Sequence, residues 1–186
     1  MLRKVYEIKM KRYHIDGHVY YITTNVYARR PIFTRPAYVI ALIDSLNFYR
    51  HRYTFQLIGY VIMPDHIHLL VWPQQEANVD DFMRDFKKFT ATRIIRQAEV
   101  ERRSDDLQAF QWAGTETGRS ENKVWQDSYW DKNIYSDRFL RQKLNYMHRN
   151  PVRAQLVENP EEYPYSSYRN YVAGDESLIE IDRGWS

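Results

Sequence analysis

Gly59-Tyr60-Val61-Ile62-Met63-Pro64-Asp65-His66-Ile67-His68-Leu69-Leu70-Val71-Trp72 is the stretch that decides the fold. Two apolar runs flank a Pro-Asp turn signal, so the stretch reads as two strands of one hairpin. Successive side chains in a strand alternate faces. His66 and His68 therefore share one face, while Ile67, Leu69 and Val71 share the other and can pack on helices. Two imidazoles side by side on a rigid strand are a natural start to a divalent-metal site. The competing reading is a pair of hydrogen-bonded structural histidines. The pair opens a new strand directly after a tight connection, which puts it on scaffold and at the scaffold's edge.

Outward from the hairpin, His18–Tyr27 is rich in β-branched and aromatic residues and reads as a strand ended by Arg29-Arg30-Pro31. Pro36–Tyr49 carries Val39, Leu42, Ile43 and Leu46 at helical spacing. Val79–Val100 reads as a helix with an apolar face of Val79, Phe82, Met83, Phe86, Phe89, Ile94 and Ile95. Its other face is basic, with Arg84, Lys87, Lys88, Arg93 and Arg96. Residues 101–123 are polar with little periodicity and read as an extended loop. Val124–Ile134 reads as a short strand and turn. Ser136-Asp137 caps a helix running to about Asn150, where Pro151 stops it.

The order β-α-β-β-α-β, followed by a helix, predicts an α+β fold of the ferredoxin-like (RRM-like) type. That is a four-stranded antiparallel sheet with helices on one face. The other face is expected to stay partly open and to present His66 and His68. The chain reads as one domain over 1–186, with its core at about 19–168, an irregular C-terminal wrap, and a tail from 169 that either guards the site or contacts a ligand.

Composition narrows the chemistry. The chain has 186 residues and no cysteine, which excludes disulfides, thiolate metal sites and a thiol nucleophile. Nothing resembles a signal core or a membrane-length apolar run, so a cytoplasmic protein without membrane contact is expected. Net charge is +3. Residues 1–52 hold ten of the basic side chains against three acidic ones, a balance suited to phosphate contacts or to an ordinary solvated surface. Sixteen tyrosines and five tryptophans suit stacked single-stranded bases or an aromatic core.

On the 137–150 helix, Leu140, Leu144 and Met147 form an apolar stripe. Phe139, Lys143, Tyr146 and Asn150 form the neighbouring one at spacings of three and four. A phenol, an amide and a lysine set against two histidines can perform a reaction. Each also has a plainer role, Tyr146 as a half-buried surface tyrosine and Asn150 as a helix-end cap.

Five ordered blocks carry a family resemblance: MPDHIHLL at 63–70, FKKFTATRI at 86–94, VWQDSYWDKNI at 124–134, LNYMHRNPVRAQLV at 144–157 and EEYPYSSY at 161–168. Together they resemble the single-tyrosine HUH transposases, and most the branch of REP-associated tyrosine transposases. The resemblance spans about Val19 to Tyr168 and implies the same ferredoxin-like fold. It implies that His66 and His68 bind a divalent metal, Mg²⁺ or Mn²⁺, that Asn150 completes the shell, and that Tyr146 is the nucleophile. It implies single-stranded DNA carrying a hairpin as the partner, no small-molecule substrate, and a monomer or homodimer. Arg29, Arg30, Arg84, Lys87, Lys88 and Lys143 are the candidate DNA contacts.

A phenol titrates near pH 10 and is a poor nucleophile at neutral pH. A metal beside the phosphate offsets this by neutralising oxygen charge and aligning phosphorus. The expected activity is cleavage and strand transfer through a 5′-phosphotyrosine link, serving DNA transposition or repeat processing. The proton acceptor is left open between a metal-linked water and Lys143. The alternatives are a domesticated, catalytically silent hairpin-binding protein and a metal hydrolase whose nucleophile is water.

Overall fold

The computed structural model describes residues 17–74, 77–118, 120–176 and 178–184. The tight Pro64-Asp65 turn joins β2 (Phe55–Met63) to β3 (His66–Pro73), with Met63 opposite His66. The turn is tied to the segment after β1 (Val19–Asn25): Val26 N–H donates to the Asp65 carbonyl and Phe33 N–H to the Pro64 carbonyl. β4 (Trp130–Ile134) pairs with the outer side of β1. The sheet order is β2-β3-β1-β4 and every pair is antiparallel, the ferredoxin-like arrangement.

The register builds two different faces. Ile22, Ile67, Leu69 and Val71 point to the face covered by α1 (Pro36–Arg52), α2 (Val79–Val100) and α3 (Ser104–Thr117). Each helix starts where its sequence allows. Pro36 lies in the first turn of α1, where a missing N–H is harmless. The Asn78 side chain accepts from Asp80 and Asp81 N–H at the start of α2. Phe89, assigned above to the core face of α2, is 45% exposed and lies edge-on to Tyr49.

Further expectations change. Residues 101–123 are not an extended loop, because α3 occupies Ser104–Thr117. Asp105 and Asp106 favour its N-terminal dipole, and Leu107, Phe110 and Ala113 meet the core at helical spacing. Gly114 lets the returning chain pass, since a Cβ there would lie 2.4 Å from the Glu121 carbonyl oxygen. The second sheet face is covered more fully than expected. β2 is apolar at nearly every position, so both its faces need burial. α4 (Asp137–His148) lies across it and packs Leu140, Leu144 and Met147 against Tyr21, Ile58, Val61, Met63 and Leu70.

The C-terminal wrap, finally, is ordered against the sheet. It shields the exposed edge of β2. Ile62 N–H donates to Tyr165 O, and Ser167 and Asp182 N–H donate to Tyr60 and Leu57 O. Ile179 and Ile181 close the main core. α5 (Asn150–Arg153) follows α4 directly, and α6 (Tyr168–Ala173) lies within the wrap. Pro151 does not end the helical path outright, because it sits in the first turn of α5.

Candidate active site

The sheet face under α4 carries the chemistry, because the register aligns it in rows. Trp130, Thr23, His68 and Val61 form one cross-strand row, and Lys132, Tyr21 and Leu70 the next. The two histidines turn their Nε2 atoms toward each other, 3.1 Å apart, with the rings 4.7 Å apart and steeply inclined. Their outer nitrogens are both held. His66 Nδ1 lies 2.5 Å from Asp65 Oδ1, and His68 Nδ1 lies 2.7 Å from Thr23 Oγ1. A carboxylate only accepts, so Asp65 places the His66 proton on Nδ1 and leaves a lone pair on Nε2. The Thr23 hydroxyl can do the same for His68.

This is the outer-shell pattern that orients metal-ligating histidines. Arg29 extends it, with Nε 2.8 Å from Asp65 Oδ2 and a second contact to the Asn25 side chain. Ala28 and Arg29 both take positive φ, at 53° and 56°, to make that reach.

Electrostatics favour neutral, ligand-ready imidazoles. Burial, and then repulsion from His66, Arg29 and Lys143, push the His68 imidazole down to about 3. Burial also lowers His66, against an opposing pull from Asp65. Among the described residues no cluster of three or more His, Asp or Glu side chains exists to hold an ion. The two Nε2 donors therefore fit a divalent cation only if an amide, water or phosphate oxygen completes the shell.

Tyr146 enters from above. Leu144 and Met147 bury the underside of α4, so Tyr146 emerges at its rim, 40% exposed, with its ring centroid 6.3 Å from that of His68. Lys143 Nζ lies 5.7 Å from the Tyr146 ring and the Arg153 guanidinium 5.0 Å from it. The fold thus gathers His66, His68, Lys143 and Tyr146. Asn150 is half-buried at the start of α5, one turn beyond Tyr146, and no hydrogen bond links it to the histidines.

The other basic candidates sit elsewhere. Arg84, Lys87 and Lys88 lie on α2, across the sheet from the histidines. Arg84 pairs with Asp81 and Asp85, and Lys87 Nζ donates to the Gln126, Asp127 and Ser128 carbonyls. Lys88 is exposed there and Arg30 is exposed after β1.

Sequence reasoning missed Tyr21, Thr23, Asp65, Trp130 and Arg153. Tyr21 and Thr23 alternate on β1 as His66 and His68 do on β3, and that shared period was the available signal. Tyr21 stacks on His68 at 5.2 Å, and its buried hydroxyl lies beside Thr23. Burial, and then Tyr146 beside it, hold that hydroxyl protonated, well above the usual phenol range.

Known proteins resemble this chain in sequence and in fold. The family model for IS200-like transposases matches residues 14–150. A Haemophilus influenzae protein named as a REP-associated tyrosine transposase is 30% identical over 141 residues, covering 72% of this chain and 74% of that one. The REP-associated tyrosine transposase of Escherichia coli K12 is 24% identical over 176 residues, covering 92% and 88%. The solved structure of a REP-associated tyrosine transposase bound to a REP hairpin aligns with a TM-score of 0.66 at 21% identity, covering 94% of this chain and 90% of that one. That likeness confirms the fold. Among the described residues no helix is long and apolar enough to cross a membrane.

Proposed function

Because the chain belongs to the IS200-like transposase family, whose members are enzymes, we propose that it cleaves and rejoins single-stranded DNA beside a hairpin through a phosphotyrosine at Tyr146. The observation that carries this reading is the convergence of two lone-pair-bearing Nε2 atoms, 3.1 Å apart, beside the Tyr146 ring. A hairpin is the matching partner because a solved relative of the same fold holds one.

Mg²⁺ or Mn²⁺ held by His66 and His68, with the Asn150 amide oxygen as third protein ligand, would neutralise the non-bridging oxygens of the scissile phosphate. Tyr146 Oη attacks phosphorus in line. The new P–O bond to the phenol forms as the bond to the 3′ oxygen breaks, the phenol proton is lost, and the leaving oxygen takes up a proton as a free 3′-OH. The 5′ phosphate stays on the tyrosine. A second 3′-OH reverses the step on another strand, so no nucleotide cofactor is consumed. Lys143 and Arg153 place positive charge beside the tyrosine ring, where the phosphate oxygens must be met. Asp65, Thr23 and Arg29 hold the imidazoles in the ligating orientation.

Labelled hairpin DNA from the repeats flanking the gene, incubated with the protein and Mn²⁺ and run on a denaturing gel, tests the reading. A protease-sensitive shifted band that disappears with Tyr146→Phe and with EDTA is the expected result. Hairpin binding with no band would leave a silent hairpin-binding protein. Cleavage that survives Tyr146→Phe would make water the nucleophile.

A further inference from the structure

Beside Tyr146 the site continues onto a surface of which the cleavage step uses only Lys143. Trp130 opens the edge strand β4 and is 50% exposed, although its backbone pairs with Thr23 at the heart of the site. Lys143 Nζ lies among four rings, 5.0 Å from the centroid of Tyr21, 5.5 Å from Phe139, and 5.7 Å from both Trp130 and Tyr146. Among the described residues Lys143 forms no ion pair with a carboxylate, and a second cation, Lys132, lies on the same sheet face. Tyr135, 72% exposed, stacks on Phe139 at 4.9 Å and extends the aromatic surface.

An ammonium group surrounded by ring faces gains cation–π attraction but keeps unfilled capacity for an anion. An indole half exposed at a sheet edge offers a flat apolar surface. Phosphate and nucleobase together match this pair of vacant features, in charge and in shape. The base must be unpaired, because a base inside a duplex has both faces already stacked. The surface is continuous with Tyr146, so the nucleotide it holds neighbours the attacked phosphate.

The geometry points to Trp130 and Lys143 as a subsite for the unpaired nucleotide next to the scissile phosphate, with the base stacked on Trp130 and the backbone phosphate paired with Lys143. This rests on the proposed DNA-cleaving function and adds where the single-stranded flank is gripped. Stacking is tolerant of base identity, so the subsite fixes the strand's position more than its sequence.

The test is equilibrium binding by the full chain in EDTA, where no cleavage competes. Three probes are used: a hairpin from the gene's flanking repeats with an unpaired four-nucleotide flank, the same hairpin cut blunt, and the flanked hairpin with 2-aminopurine beside the cleavage point. Stacking on one aromatic ring is worth about 1–3 kcal/mol per base, so Trp130→Ala should weaken the flanked hairpin by roughly 5- to 150-fold. Blunt-hairpin affinity should stay within about twofold, and the 2-aminopurine quenching seen with the native chain should disappear. Trp130→Phe should restore most of the affinity, which separates stacking from misfolding. Lys143→Met should reduce the salt dependence on the flanked probe by about 0.7 in slope, one phosphate's share.

Equal losses on flanked and blunt probes, or an unchanged flanked affinity in Trp130→Ala, would overturn the subsite. A native chain that binds both probes equally would do the same. If the native chain forms a covalent adduct while Trp130→Ala binds normally, the subsite fails and the cleavage mechanism stands. If no adduct forms yet Trp130→Ala loses only the flanked probe, the subsite stands and the cleavage mechanism fails.

Discussion

Gly59→Ala should slow the reaction although Gly59 touches no reacting group. Gly59 lies in β2 beside a register irregularity that follows Leu57, directly beneath α4. An added Cβ would sit 2.7 Å from Met147 Cε, 2.8 Å from Leu144 Cδ1 and 3.2 Å from Ser167 Oγ. Ordinary carbon contacts lie at about 3.5–4.0 Å, so roughly 1 Å of room is missing. The two methyl ends can swing, but Ser167 Oγ is fixed by Tyr60 N–H and His148 Nε2. Overpacking of this kind costs about 1–3 kcal/mol, and the gain of about 0.5–1 kcal/mol from removing a strand glycine offsets part of it. A net loss of about 1–2 kcal/mol is expected, read as a lower urea midpoint at unchanged slope. If α4 lifts, Tyr146 lifts with it, since it precedes Met147 in the chain. A displacement of about 1 Å can cost on the order of 100-fold in rate. Single-turnover adduct formation should fall by about 10- to 100-fold, and Leu144→Ala in the same chain should recover much of it by making room. Unchanged stability and an unchanged adduct rate together would refute the claim that this close approach sets the height of the tyrosine above the histidines.

Thr23→Val removes the oxygen that holds His68 Nδ1 and should weaken Mn²⁺ binding by about 10- to 100-fold in a calorimetric titration. An affinity within a factor of two of the native value would count against the histidine pair as the metal site. Lys87→Met leaves the Gln126, Asp127 and Ser128 carbonyls without their shared donor and should destabilise the fold by about 1–3 kcal/mol in thermal melts, while changing hairpin affinity little. A large affinity loss with an unchanged melt would instead make Lys87 a DNA contact. Burial pushes His148 down to about 4, so the unfolded chain binds its proton more readily between there and about 6.5. Metal-free stability is therefore complete above about pH 6.5 and should fall on acidification toward 4, by up to about 1.4 kcal/mol per pH unit for this group. His66 and His68 are lowered in the same direction and add to the loss on acidification. Urea midpoints that stay level from pH 7 to 4.5, or a slope that His148→Gln leaves unaltered, would contradict this.

Much of the molecule follows from local pattern. Alternation in 59–72 determined the hairpin and put His66 and His68 on one face, because strand geometry has a period of two whatever surrounds it. Helical spacing likewise determined α1, α2 and the apolar stripe of α4, and with these the order that gives a ferredoxin-like sheet. Residues 101–123 misled because charged side chains hid the few apolar positions of α3, which form a stripe only once the core is there to receive them. The C-terminal wrap was illegible for a related reason. Its hydrogen bonds go to β2, more than a hundred residues earlier, and no local period encodes such a partner.

Tertiary structure alone decided what surrounds the histidines. Thr23 reaches His68 and Trp130 reaches Thr23 through strand register, Arg29 reaches Asp65 through a strained turn, and Lys143 and Tyr146 arrive over the sheet on a packed helix. Sequence specifies which faces must be buried. Only the packing of those faces sets the distances between groups on different elements, and those distances are what the chemistry requires.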